Sequence, residues 1–270
     1  MKQKNIVITG ASDGIGAAAA AQLKLDGHNL FLVGRSPEKT ATVAGKLGVP
    51  FAVADFAHLD QVRALADEIL DRCPVIDVLA NNAGLMAPSQ PTFTDDGFEF
   101  TWQVNYLAMF LLNHLLLDRL TESHATVIAT SSMAHWMGRL QLEARKESYT
   151  SWDAYGTSKL AAILHTRELA RRHGDGVNAV CFHPGVVKTN FSNGSGSFIS
   201  SVYGSRFRIF IPASKGADTL VFLAEGTPGV DFQAGDYLVK RRPAATQACS
   251  RDIRLADALW NHTELDLGLM

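Results

Sequence analysis

The stretch Asn5-Ile6-Val7-Ile8-Thr9-Gly10-Ala11-Ser12-Asp13-Gly14-Ile15-Gly16 decides the fold. Its first five residues form a β-branched apolar run, the composition of a strand buried on both faces. Glycines follow at Gly10, Gly14 and Gly16, and the Ala-rich segment 15–25 reads as a helix. Glycine permits a tight turn and a close approach of backbone to phosphate. The free N–H groups and positive dipole end of the next helix then suit a pyrophosphate. A glycine loop after a strand and before a helix is what dinucleotide binding requires, and it puts Gly10, Ser12, Asp13, Gly14, Ile15 and Gly16 at the ligand. A glycine-rich turn without a ligand is the plain alternative.

The alternation continues along the chain. Strand-like runs fall at 30–33, 49–54, 75–80, 126–130, 178–182 and 236–239, and helical segments at 37–47, 59–71, 98–120, 153–173 and 252–260. Strands alternating with helices predict an α/β fold, a single doubly wound parallel sheet (Rossmann) with helices on both faces. No internal repeat or linker divides residues 1–270, which read as one domain for both cofactor binding and catalysis. Segment 188–212 is rich in Gly and Ser but carries Phe191, Phe198, Tyr203, Phe207 and Phe210. It reads as a substrate flap, with a plain surface loop as the alternative.

Composition narrows the class. The chain has 270 residues, 47% hydrophobic and 19% charged, with net charge −2, so no nucleic-acid footprint is visible. Cys73, Cys181 and Cys249 are too scattered for a disulfide framework or a metal site and read as buried thiols in a reducing compartment. Met1-Lys2-Gln3-Lys4 leads straight into a strand without the length of a signal peptide. The most apolar stretch, 107–117, is short and interrupted by Asn113 and His114. These features predict a cytoplasmic protein with no membrane anchor.

Further motifs sit where strands end. Gly34-Arg35-Ser36 follows the second strand, where an acid would hold a ribose 2′-hydroxyl and an Arg accommodates a 2′-phosphate. Arg35 therefore favours NADP (NADPH) over NAD, unless it is only a solvated charge; Asp13 weighs the other way. Asp55, with Phe56 beside it, bonds an adenine amino group or caps the next helix. In Asn81-Asn82-Ala83-Gly84 small residues let a ribose approach, so Asn81, Ala83 and Gly84 are cofactor candidates, while Asn82 also reads as a structural turn. Ser132, the second of a Ser pair, is placed to bond a substrate oxygen. In His183-Pro184-Gly185-Val186-Val187-Lys188-Thr189 the Thr189 hydroxyl and the backbone around Pro184, Gly185 and Val187 suit a carboxamide. His183 reads as a packed residue.

Tyr155 and Lys159 are four apart in a helical segment and so share a face. A phenol titrates near 10, and a neighbouring ammonium favours the phenolate. Such a phenol suits proton transfer to or from an alcohol oxygen.

In this order the glycine loop, the Asn81–Gly84 run, Ser132, Tyr155 and Lys159 resemble the short-chain dehydrogenase/reductase family, single-domain branch. The likeness covers roughly residues 5–237. It implies Tyr155 as acid/base, Lys159 lowering the Tyr155 pKa and bonding the nicotinamide ribose, and Ser132 polarising the carbonyl. It also implies Asn105 supporting a water that links Lys159 to solvent, and Thr189 touching the nicotinamide amide. Ala134-His135-Trp136, Tyr155–Ala161 and Thr166–Arg172 resemble the retinol-dehydrogenase-like and oxidoreductase-like branch, which implies NADP and apolar alcohols or carbonyls. Membrane-anchored members of that branch carry an apolar N-terminal segment that this sequence does not show. Relatives often pair through the two long helices, which offers a route to a homo-oligomer. The expected activity is an NADP-preferring ketoreductase or alcohol dehydrogenase interconverting a carbonyl and an alcohol on a bulky apolar or aromatic substrate, with Trp136, Met137, Tyr149 and Trp152 lining one side. The alternative is a catalytically silent NADP-binding sensor or scaffold on the same fold.

Overall fold

Among the described residues, eight strands pair into one sheet in the order β3-β2-β1-β4-β5-β6-β7-β8. They are β1 (Asn5–Thr9), β2 (Asn29–Gly34), β3 (Phe51–Val53), β4 (Val78–Asn81), β5 (Thr126–Thr130), β6 (Asn178–His183), β7 (Tyr237–Val239) and β8 (Arg242–Pro243). The first seven are parallel and β8 is antiparallel. The computed structural model describes residues 2–86, 88–140, 149–187 and 211–270. Thr189 and the expected flap, apart from Ile211 and Pro212, lie outside the described residues.

Strand residues alternate between two cores, as a period of two requires. Ile6, Ile8, Leu30, Leu32, Val78, Ala80, Val180 and Phe182 face one core, which α1 (Gly14–Leu25), α2 (Pro37–Leu47) and the helix Ala213–Glu225, here α8, cover. Val7, Phe31, Val33, Leu79, Val127, Ala179 and Cys181 face the other. That side is covered by α3 (Leu59–Arg72), α5 (Ala108–Leu115), α7 (Ser151–His173) and the helix Ile253–Asp266, here α9. The doubly wound parallel sheet expected from the sequence is present. Its strand order reverses between β1 and β4, which opens a crevice at the strands' C-terminal ends.

Several boundaries differ from the sequence expectation. The third strand is only Phe51–Val53, and the fourth begins at Val78, since Val75 is exposed. The long helix expected over 98–120 is composite: α4 (Phe100–Trp102), a π-helical turn (Gln103–Leu107), α5, and α6 (Leu117–Glu122) after a break at Leu116. Helix α7 begins at Ser151 because the Thr150 side chain accepts from the Asp153 N–H. Helix α8 has no counterpart in the sequence reading. Helix α9 lies over the π-helical turn, α5 and α7: the Tyr106 and Thr263 hydroxyls are 2.9 Å apart, and the Trp260 ring meets Phe110 at 4.8 Å and stacks on His165 at 5.3 Å. Among the described residues no helix is long and apolar enough to cross a membrane.

Candidate active site

A cavity of about 300 Å³ opens along the C-terminal ends of the strands. One end meets β2 and β3, where Gly34, Arg35, Asp55 and Phe56 line it. The other reaches Ser132, Tyr155 and Lys159, and Pro184, Gly185 and Val187 close a third side.

The glycine loop is held by close backbone packing. Gly10 has φ +65°, and a Cβ there would lie 2.8 Å from the Ala83 Cα. A Cβ on Gly16 would lie 2.4 Å from the Gly10 carbonyl oxygen, so Gly16 packs the helix start against the loop rather than lining the cavity. The Asn82 amide donates to the Thr9 and Gly10 carbonyls at 3.1 and 3.3 Å. The Thr9 hydroxyl in turn accepts the N–H groups of Asn82 and Ala83, both at 3.0 Å. Asn82 and Thr9 thus shape the floor of the loop, roles the sequence reading left open or did not assign. Asn82 also lines the cavity, whereas Asn81 does not: its side chain turns to Asn113 at 2.8 Å. Asp13 caps α1 by accepting the Gly14 N–H at 2.7 Å, and it lines the cavity with Ser12, Gly14 and Ile15.

Arg35 is exposed at the cavity edge, with no ion pair among the described residues. Ser36 is not in the lining; its hydroxyl caps α2 by accepting the Lys39 N–H. Asp55 lines the cavity and accepts the Ala57 N–H at 3.0 Å, a turn before α3 rather than its cap; the Leu59 N–H at the helix start is taken by Asp96 at 3.0 Å.

At the other end, Tyr155 and Lys159 project from the first turns of α7. The Lys159 Nζ lies 5.6 Å from the Tyr155 ring centroid and donates to the Thr130 carbonyl at 3.0 Å. Burial, which disfavours the charged form, pushes Lys159 down to about 8. An ammonium carries three donors. The remaining N–H groups at the cavity wall fit ribose hydroxyls, and the glycine loop and Arg35 fit phosphates. The residues present therefore suit a nicotinamide dinucleotide.

The Ser pair divides its work. The Ser131 hydroxyl donates to the Lys159 carbonyl at 2.8 Å and pins α7 to β5. The half-buried Ser132 Oγ accepts the Ala134 N–H at 3.2 Å, so its own O–H is left to donate elsewhere. Ser132 opens a 3₁₀ turn, Met133–Met137, that packs directly on α7: a Cβ on Gly138 would lie 2.4 Å from the Gly156 carbonyl. Asn105 sits in the π-helical turn, a feature common at functional sites. Its Oδ1 accepts the Leu85 N–H at 2.8 Å, and its Nδ2 donates to the Leu85 carbonyl at 2.9 Å and the Ser158 Oγ at 3.1 Å. It stands beside Lys159 without lining the cavity; a Cβ on Gly84 would be 3.2 Å from both Asn105 Oδ1 and Lys159 Nζ.

Of the expected substrate-side residues, Trp136 and Met137 are exposed beside Ser132, and Trp152 packs with Met86 against Ala134 and Tyr155. The Tyr149 hydroxyl donates to the Pro88 carbonyl at 3.2 Å. None of the four is in the cavity lining.

Fold and cavity together define a dinucleotide-binding α/β protein of the Rossmann class. The sequence pattern of the short chain dehydrogenase family matches residues 4–199. A Streptomyces sp. (strain C5) protein provisionally named a daunorubicin C-13 ketoreductase is 42% identical over 275 residues, covering 98% of this chain and 93% of that protein. Human retinol dehydrogenase 13 is 34% identical over 285 residues, covering 98% and 85%. A crystal structure of an uncharacterised Mycobacterium paratuberculosis protein superposes with TM-score 0.80 at 33% identity, over 98% of this chain and 94% of that one. The chain belongs to the short-chain dehydrogenase/reductase family, oxidoreductases of carbonyl and alcohol groups that use a nicotinamide dinucleotide.

The depressed Lys159 value fixes a sign. An unfolded lysine holds its proton up to 10.5, whereas the folded one releases it near 8. Between these values the unfolded chain binds more protons, so stability rises with pH. Charged Lys159 therefore destabilises the free protein by roughly 3 kcal/mol well below pH 8. Urea unfolding of wild type and Lys159→Met should show wild type gaining roughly 2 kcal/mol relative to the variant between pH 7.5 and 10. A constant difference across that range would refute a depressed lysine.

Proposed function

We propose that the protein is an NADP(H)-dependent ketoreductase, or alcohol dehydrogenase in reverse, with Tyr155 as acid/base and a bulky apolar or aromatic substrate. The observation that carries this reading is the meeting of three groups at one end of the cavity: the Tyr155 phenol, the buried Lys159 ammonium and the donor-ready Ser132 hydroxyl.

The glycine loop and α1 would hold the pyrophosphate, Arg35 the 2′-phosphate, Lys159 the ribose, and Pro184, Gly185 and Val187 the carboxamide, with Thr189 as a further donor. The bound nicotinamide supplies or accepts the hydride. The chain's own residues do the rest. Ser132 and Tyr155 donate to the carbonyl oxygen, which holds the carbon in line and stabilises developing negative charge. Tyr155 then passes its proton to that oxygen, and the Lys159 charge favours the phenolate left behind. In oxidation the phenolate takes the alcohol proton. Asn105 fixes the Leu85 loop and Ser158 around this pair.

Arg35 supports NADP, because it stands free at the end of β2 where an acid would grip a 2′-hydroxyl. Met133, Trp136 and Met137 are exposed on the turn that follows Ser132 but outside the cavity lining, so the apolar substrate rests on the company of a ketoreductase and a retinol dehydrogenase among the relatives. A silent NADP sensor would need no proton donor beside a Tyr–Lys pair, and nothing in the site favours it.

A panel of bulky ketones, quinones and aldehydes, all-trans-retinaldehyde and 9,10-phenanthrenequinone included, followed by NADPH absorbance, tests the activity. Tyr155→Phe should lower turnover at least ~10²-fold while NADPH still binds. Retained turnover would end the acid/base assignment, and no turnover of any carbonyl by wild type would overturn the enzyme reading. Separately, Arg35→Ala should weaken NADPH binding by roughly 10- to 100-fold with NADH almost unaffected. Equal losses for both cofactors would refute the 2′-phosphate contact.

A further inference from the structure

His135 and Tyr237 meet on the α7 side of the sheet, near His183, which also lines the cavity. Tyr237 is the register partner of Cys181 on β6, and His183 lies two residues further on the same face. The His135 ring stands edge-on to the Tyr237 ring, with centroids 5.1 Å apart. His135 itself is fully buried.

The chemistry of His135 is fixed by one contact. Its Nδ1 lies 2.7 Å from the Ser132 carbonyl oxygen. A carbonyl only accepts, so Nδ1 carries the hydrogen. Burial, with the nearby Arg167 charge, holds the ring below its ordinary value despite that bond, so it is neutral. A neutral ring with its hydrogen on Nδ1 has a bare Nε2, and that atom has no protein partner among the described residues. His135 therefore has no free N–H to offer a substrate, and its one side-chain hydrogen bond among the described residues is to Ser132.

The Ser132 peptide is gripped from one side of the turn. Its carbonyl takes the His135 backbone N–H at 3.1 Å as well as Nδ1–H at 2.7 Å, while its Oγ takes the Ala134 N–H at 3.2 Å. With carbonyl and hydroxyl oxygen both held, the directions left for the Ser132 O–H are narrowed.

We propose that His135 is a positioning residue for the reaction: its Nδ1–H bond to the Ser132 carbonyl aims the Ser132 hydroxyl at the substrate oxygen beside Tyr155. This rests on Ser132 being the carbonyl-orienting donor described above. The geometry sets a particular chemical requirement, a donor at the Nδ1 position and none at Nε2. An asparagine amide can place a donor N–H near Nδ1, whereas a glutamine amide places one near Nε2.

The test compares His135→Asn, His135→Gln and His135→Leu with Ser132→Ala and the double variant Ser132→Ala/His135→Gln, using a carbonyl turned over in the panel above. His135→Asn should keep kcat within about 3-fold, while His135→Gln and His135→Leu should lower kcat by roughly 10- to 100-fold, the scale of a misplaced reacting group. The KM for NADPH should stay unchanged throughout. The double variant should be no slower than Ser132→Ala, since one change acts through the other. Three outcomes overturn the proposal: Gln equal to wild type, Asn as poor as Leu, or additive losses in the double variant. A residue that merely packs would instead lower melting temperature and NADPH affinity together and would not separate Asn from Gln. If His135→Leu fails to fold, the Asn–Gln pair still decides. Full turnover by Ser132→Ala would bring down the Ser132 assignment and this proposal with it, whereas slow Ser132→Ala beside fast His135→Gln removes the proposal alone.

Discussion

A lysine ammonium taken out of water sets the terms for the site. Lys159 is 3% exposed, and its one protein acceptor in the described structure is the Thr130 carbonyl. Burial of a lone charge is unfavourable, so the surroundings must be built closely enough to hold it in one place. Ser131 ties its backbone to β5, Asn105 ties the neighbouring Ser158 to the Leu85 loop, and Gly84 leaves the room its Nζ occupies. Strands β4 and β5, the π-helical turn and α7 are all recruited to one ammonium. A charge held this way favours an anion beside it, and the phenol of Tyr155 is the group within reach.

The second constraint is how closely backbones approach. The glycine loop meets the loop after β4 at Gly10, Gly16, Asn82 and Ala83, and the turn after Ser132 meets α7 at Gly138 and Gly156. Each pair leaves no space for a Cβ, so the two ends of the cavity are fixed by main chain rather than by rotamers. That is a rigid frame of the kind a reacting geometry requires. The neutral His135 adds a side-chain brace to the second contact through its bond to the Ser132 carbonyl.

Much of this was legible in the sequence. The strand runs and the glycine loop carry local signals, a period of two and a strand–glycine–helix order, and they placed the sheet and the crevice. The i, i+4 spacing put Tyr155 and Lys159 on one face, and α7 bears that out. What the sequence did not reveal depends on partners far along the chain. Asn82 and Thr9 are 73 residues apart and bond through backbone and side chain, which leaves no local pattern. Asn81 could have been placed by alternation: it shares the strand face of Leu79, which packs in the core that α5 covers, and its partner Asn113 lies on α5. Helix α8 was hidden by Gly216 near its start, a glycine required by the Val187 side chain, 2.5 Å from where its Cβ would be. The substrate-side aromatics were chosen by residue type, and type alone does not say that Trp136 faces outward or that Tyr149 bonds Pro88.

The central claim is that Lys159 prepares Tyr155 for proton transfer. The most direct measurement is the titration of the Tyr155 phenol in the NADP⁺ complex, followed by ¹³C labelling at tyrosine Cζ and assigned among the five tyrosines by Tyr155→Phe. Tyr155 is predicted to titrate below the value of about 10 for a free phenol and to move upward in Lys159→Met. A phenol that titrates at or above that value, with or without the lysine, would contradict the mechanism.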